Sequence, residues 1–281
     1  MQYTNDNTIT TVLWNKQTSM TIKAPACEAF TGWNALGWSA KNTASLDKVY
    51  DAGASLTVGD EADHTYYGVY NRQLVATYQY IQGDSAVKTT TRKNIQRISA
   101  KDPSSLEVVN VAKPTASDVN TYTNWTPIGF VQDTSSLKNP IGFDGSVAIK
   151  NPTTYYVLYK RVYTLKYDTT PGGTKVADST STSYCNTVKT QNNAISLNRT
   201  ATRTGYNLKG WTIEGVEYTP GKSYELKNNL TAKAIWDPIT YYLAFGSGGG
   251  DSGESFTMTC RYDSEYTMPN NKFGKTGYLF T

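Results

Sequence analysis

The chain holds one histidine, His64, inside the run DEADHTYY at 60–67. An imidazole beside Asp60, Glu61 and Asp63 is raw material for a metal site or a general base. Both need convergence: ligands arriving from several directions, or a base oriented by an acid and aimed at a nucleophile. Adjacency along one run supplies neither, so the stretch reads as a solvated loop leading into a strand. Cys27, Cys185 and Cys260 are too far apart for a local zinc knuckle, and an odd number cannot pair fully. They read as isolated small hydrophobes. The run GSGGGDSGE at 246–254 lacks the Lys-Ser or Lys-Thr of a nucleotide-binding loop, and the spacing of Asp251 and Glu254 is not that of a helix-loop-helix calcium site. It reads as a flexible hairpin tip. The 23 Asp and Glu residues contain no pair marked out for glycoside hydrolysis. No cofactor, no metal and no enzymatic activity are expected.

The paired tyrosines offer a different chemistry. Tyr66-Tyr67 and Tyr155-Tyr156 lie in TYYGVY (65–70) and TYYVLYK (154–160), where neighbouring rings fall on opposite faces of a strand. One ring of each pair can join a core, while the other meets solvent, a neighbouring unit or a ligand. These four rings form the candidate binding surface, with a host-surface protein or glycan as the partner. Charge argues against another class of partner. The formal net charge of +4 is scattered over positions such as Lys88, Arg92, Lys93, Arg97, Lys160, Arg161 and Lys166. Phosphate backbones call for a dense basic patch, so nucleic acid is not expected. No apolar run reaches the ~18 residues of a membrane-spanning helix, so no direct membrane insertion is expected. The opening MQYTNDNTITTVLW lacks the basic start and apolar core of a signal peptide.

The elements that would position such residues are strands. Twenty-two tyrosines and abundant threonine favour extended structure, and long runs of strong helix formers are missing. At 281 residues the chain calls for two or more cores. In 161–237, YTLKY (163–167) alternates as a strand, TPGG (170–173) turns, and STSYCNTVKT (181–190) reads as a second, weaker strand. Residues 191–197 read as a short helix or a loop whose Ile195 and Leu197 touch the core. Trp211 is the expected central plug of that core, and 230–236 its last strand.

The block TRTGYNLKGWTIEGVEYTPGKSYELKNNLTAKAIW at 202–236 has relatives within the chain. Gly210-Trp211 is matched by Gly37-Trp38 and, more weakly, by Gly129-Phe130. Tyr218 and Gly221 are matched by Tyr50 and Gly53, with Phe143 and Gly145 in the weaker copy. Each copy closes with an aromatic strand and opens a new one, and Arg72 and Arg161 stand two residues beyond Tyr70 and Tyr159. A fourth copy begins at 238, with Leu243 aligned to Leu165, Cys260 to Cys185 and 276–279 to 204–207. A repeat reading therefore comes first. The units are 1–70, 71–160 with an insertion at about 88–122, 161–237 and a partial 238–281. The joints are Asn71-Arg72 and Asp237-Pro238. Within the insertion, Ser117-Asp118 is the expected cap of a short helix. The core of the repeats is expected to hold Trp38, Tyr50, Phe130, Tyr206, Gly210, Trp211, Tyr218 and Trp236.

The pattern G-Y-x-x-x-G-W, then Y-x-x-G, then L-x-A-x-W resembles the Listeria–Bacteroides repeat, the B-repeat of bacterial internalin-type surface proteins. The likeness is fullest at Thr204, Gly205, Tyr206, Gly210, Trp211, Tyr218, Gly221 and Trp236. It extends to Gly37, Trp38, Tyr50, Gly53 and Tyr70, and partly to 125–159. Phe130 departs from it, and Ala35-Leu36 stands where the first copy would carry Gly-Tyr. The resemblance implies an α+β, strongly β-rich chain of tandem small β-grasp-like domains forming an elongated rod, strung between a recognition domain and a cell wall. The expected function is a non-enzymatic spacer or stalk of an extracellular, adhesin-like bacterial surface protein, and the alternative is a host glycan- or protein-binding module. The chain is expected to be a monomeric segment of a longer one, without its signal peptide or anchor.

Overall fold

A computed structural model describes residues 2–5, 8–11, 20–28, 31–41, 49–59, 64–99 and 106–280, the first two stretches by backbone alone. The chain is strongly β-rich. It forms two compact units, one of residues 1–160 with 185–189 and one of 161–184 with 190–281. Lys160 and Arg161 lie on either side of the division, and residues 70–71 and 237–238 each lie within one unit. Among the described residues no helix is long and apolar enough to cross a membrane.

The first unit opens with a hairpin, β1 (Gln2–Asn5) and β2 (Thr8–Thr11). β3 (Met20–Lys23), β4 (Asn34–Ser39), β5 (Ser55–Val58) and the long β6 (Tyr67–Gln82) follow. β3 pairs antiparallel with β5, and β4 pairs antiparallel with the start of β6. The same scheme then repeats. β7 (Ala86–Ser99) folds back along β6, β8 (Val109–Ala112) precedes the one-turn helix α1 (Ala116–Val119), and β9 (Thr126–Val131), β10 (Ser146–Ile149) and β11 (Thr153–Asp168) complete it. β8 pairs antiparallel with β10 and β9 antiparallel with β11, while β11 runs parallel to β6, Thr153 facing Ala76 and Tyr156 facing Gln79. Asn71 and Arg72, expected as a joint, lie in the middle of β6. Thr115, rather than Ser117-Asp118, caps α1: its hydroxyl accepts from the Asp118 N–H while the Asp118 carboxylate accepts from the Thr115 N–H.

In the second unit β11 continues past Lys160. β12 (Ser179–Cys185), whose last residue belongs to the first unit, β13 (Thr190–Gln191), β14 (Ala194–Ser196), β15 (Tyr206–Ile213), β16 (Val216–Tyr218), β17 (Ser223–Glu225) and β18 (Leu230–Pro238) follow. The sheet order is β13-β12-β11-β18-β15-β16, with β11 and β18 parallel, Leu165 facing Leu230. β14 and β17 form a separate antiparallel pair. Where a short helix or a loop is expected over 191–197, residues 194–196 form a short strand, with Leu197 buried and Ile195 packed on the core as expected. β19 (Thr240–Phe245) and β20 (Phe256–Arg261) form a final hairpin.

One local geometry occurs three times. In β4, β9 and β15 the register against the closing strand slips by one residue, just before Gly37, Gly129 and Gly210. Those glycines face Val69, Leu158 and Ile235, and the aromatic residues Tyr70, Tyr159 and Trp236 come next on the closing strand. Such bulges deepen the local twist and re-aim side chains. In all three places a carbonyl from the following chain segment lies over the glycine. A Cβ at Gly37 would stand 2.2 Å from the Tyr50 oxygen, at Gly129 2.3 Å from that of Ile141, and at Gly210 2.2 Å from that of Tyr218. The neighbouring aromatic N–H bonds to that oxygen, at 2.9 Å for both Trp38 to Tyr50 and Phe130 to Ile141. The contact therefore demands a residue without a side chain.

Upstream, a left-handed residue precedes a ring in each copy: Gly32 before Trp33, Asn124 before Trp125 and Gly205 before Tyr206, with φ of 82°, 61° and 75°. Gly32-Trp33, not Ala35-Leu36, is therefore the first copy's counterpart of Gly205-Tyr206. The cores form around the rings these strands present. Trp38 packs with Ala24, Leu56 and Tyr66. Phe130 packs with Tyr78, Tyr155 and Tyr159, and Trp211 with Tyr163, Leu165, Leu197 and Ile213. A small core of Trp33, Tyr70 and Ile98 sits beside the early part of β6. There Arg72 lies over the Trp33 ring at 4.6 Å and donates through Nε to buried Gln96 at 2.7 Å, and Gln96 in turn donates to the Glu107 carbonyl.

The φ of Gly210 lies outside the left-handed region, so a substitution there tests the carbonyl collision alone. Gly210→Ala is expected to lower stability by about 1–3 kcal/mol through overpacking. Gly246→Ala, whose new methyl would meet nothing closer than 3.9 Å, is expected to stay within about 0.5 kcal/mol of the parent. Urea titration of the two variants checks this, and equal behaviour would remove the collision argument.

Candidate functional site

The structure sorts the sequence-derived residues into core and surface. Trp38, Phe130 and Trp211 are fully buried, Gly210 is buried beside Trp211, and Tyr50, Tyr218 and Trp236 are partly buried against their clusters. Tyr206 departs from expectation. It is half-buried and packs edge-on against Tyr262, with Arg203 3.7 Å above its ring and its hydroxyl donating to Asp263. That hydrogen bond raises the phenol above its ordinary value. The indole N–H of Trp38 donates to the Pro25 carbonyl at 2.7 Å. Those of Trp211 and Trp236 find no acceptor among the described residues, at a cost of about 1–3 kcal/mol for a buried donor left unpaired.

Two of the four rings offered as a binding surface are buried, although one of them, Tyr155, lines the groove described below. Tyr66 and Tyr155 are buried, leaving only Tyr67 and Tyr156 partly accessible. Alternation along a strand explains the split, because one ring of each pair must point into the core. His64 is half-buried just before β6, while Asp60, Glu61 and Asp63 lie outside the described residues. The three cysteines form no disulfide; Cys185 and Cys260 are buried, and Cys27, partly buried, donates through its thiol to the Gly37 carbonyl at 3.1 Å. Among the described residues no group of three or more His, Cys, Asp or Glu could hold a metal ion. The glycine-rich run joins β19 to β20, and the Asp251 carboxylate accepts from the Thr276 N–H.

A feature the sequence reading missed is a groove of about 630 Å³ in the first unit. Its floor is Phe130, Val131 and Tyr155. The segment between Val131 and Ile141 forms one wall, and Lys113 with Ser146–Ala148 the other. At the corresponding place in the second unit only Glu214-Gly215 separates β15 from β16, so the longer connection is what encloses the space. It is well anchored. Leu137 is buried, Asn186 donates to the Thr134 carbonyl at 3.1 Å and Lys189 to that of Ser135 at 3.2 Å. Asp133 accepts from the Ser135 backbone and hydroxyl, which holds its carboxyl below the usual range. Below the floor Tyr155 stacks on Tyr78, centroids 5.3 Å apart, and burial raises its phenol. Lys113 and Ile141 are far apart in the sequence, and no local motif flags their meeting.

No family model, curated protein or solved structure matches the chain.

Burial sets the alkaline behaviour of the first unit. The Tyr159 hydroxyl accepts from the Ile81 N–H and donates to the Val119 carbonyl. Burial pushes Tyr78, Tyr159 and Cys185 up to about 12, from ordinary values of 10.0 for the phenols and 9.0 for the thiol. Below the ordinary values both states keep these protons. Between them and about 12 the unfolded chain releases protons that the folded chain retains, so unfolding gains ground. Stability of this unit is expected to fall across that window, and Cys185→Ala to flatten the part beginning near 9.0. Urea midpoints measured as a function of pH check it; a flat profile would contradict the burial argument.

Proposed function

We propose that the chain is a non-enzymatic spacer segment of an extracellular, adhesin-like bacterial surface protein, built from tandem β-grasp-like modules. The observation that carries this reading is the threefold recurrence of one constellation: bulge, glycine under a carbonyl, buried ring, closing strand. The conspicuous residues serve closure of cores. Nothing reactive recurs with them, as it would if the copies shared a chemical task. The β-grasp reading is supported by the second unit's sheet. An opening hairpin is followed by a last strand parallel to the first, with the Gly-Trp strand on its far side. The bacterial surface location and the stalk role rest on the resemblance to the Listeria–Bacteroides repeat.

A stalk holds its modules in a row. Small-angle scattering of the chain is expected to give an elongated particle, and a maximum dimension typical of a sphere of this mass would sink the proposal. A second reading, a module that binds host glycans or proteins, is favoured by the groove, which belongs to one copy and is walled by a connection that the second unit lacks.

A further inference from the structure

We propose that the groove between residues 132–141 and β10 is a carbohydrate-binding site, taking one or two neutral hexose-type rings; this rests on the second reading above.

The volume, about 630 Å³, lies within the range of small-ligand sites, ~300–1,000 Å³. Its wall is anchored by the protein itself: Leu137 is buried, and Asn186 and Lys189 hold the Thr134 and Ser135 carbonyls. A ligand need not order the loop, so little affinity is lost to that cost.

The lining chemistry narrows the ligand class. Ile141 is 40% exposed at the groove although it is the bridging residue of the copy, and gives an apolar surface for a ring's C–H face. Around it stand an ionised acceptor, Asp133, two ammonium donors, Lys113 and Lys138, and the amides of Gln132 and Asn139. A phosphate or carboxylate ligand would meet Asp133, which its Ser135 bonds keep ionised. An apolar ligand would strand these polar side chains, with Ser136 and Ser146, away from water. A ring of hydroxyl groups suits both kinds of partner, donating to the carboxylate and accepting from the ammonium and amide groups. Oδ1 accepts from both the Ser135 N–H and hydroxyl, whereas Oδ2 meets only that same hydroxyl from Ser135 and retains accepting capacity, because an ionised carboxylate offers about four lone-pair sites. Asn139 holds its amide at the rim from a left-handed backbone, φ 52°, a conformation that Asn tolerates better than most residues.

The test uses the whole chain on a glycan array, followed by titration of an isotope-labelled sample with the best-bound neutral saccharide. Amide shifts confined to 130–148, Lys113 and Tyr155 are expected. Asp133→Asn and Ile141→Ser are each expected to weaken binding about tenfold or more, as loss of a charged hydrogen bond or of the apolar platform would. Lys209→Ala, in the second unit, is expected to change nothing. Circular dichroism and unchanged spectra elsewhere separate loss of binding from loss of folding. No saccharide binding, binding only of acidic sugars, or shifts away from 130–148, Lys113 and Tyr155 would overturn the assignment. If saccharides fail but host-cell attachment persists and is lost in the same two variants, the carbohydrate class is wrong while the binding reading stands.

Discussion

A carbonyl oxygen resting on a glycine is the constraint from which the modules follow. A strand bulges, its next residue has no side chain, and the segment that returns across it places its carbonyl where a Cβ would be. The following aromatic N–H bonds to that oxygen, which fixes the strand's rotation and turns the aromatic side chain inward. A larger residue at Gly37, Gly129 or Gly210 would push the returning segment away and move Trp38, Phe130 or Trp211 out of its core. The backbone contact and the hydrophobic core are thus one device. In a small module a single ring is a large share of all the apolar area that leaves water.

The bulge also sets the closing strand. Opposite each glycine stands an aliphatic residue and after it a ring, so the inward face of the closing strand is assigned by the slip in register. That strand then lies parallel to the strand that opened the copy, in the second copy and in the second unit alike. A parallel neighbour cannot be reached by a tight hairpin, so the intervening chain must travel around the core. The small antiparallel pairs β3–β5, β8–β10 and β14–β17 lie along that route, and variation in its connections changes the surface without disturbing the closure. The groove arose in one such connection.

Much of the internal design is legible in the sequence because glycine and large rings are spaced alike in each copy and serve geometry that tolerates few substitutes. The equivalence of Gly32-Trp33 with Gly205-Tyr206 is harder to see. Trp replaces Tyr there, and at Trp125 the left-handed position is held by Asn rather than glycine; the shared property is a backbone angle, which several residue types can meet. Tyr206 reads as core by type and spacing, yet its hydroxyl and the nearby Arg203 keep it at the surface. The tyrosine pairs show alternation clearly but not which ring faces in. The groove is opaque to the sequence for another reason: QDTSSLKNP at 132–140 has the composition of any polar loop, and its anchors come from residues about fifty positions away.

The continuous strand β6 constrains any rearrangement that would add or remove one of these segments. Its first residues finish one copy and its later residues start the next, and β7 bonds along both halves. A recombination event that drops one copy cannot cut at a loose connector here. It must splice one strand to another in phase, preserving both the two-residue alternation and the partner already laid alongside. Gain or loss of whole copies is therefore compatible with folding only when the crossover falls at matching positions of two such strands. Drift in the surface connections is free of that restriction.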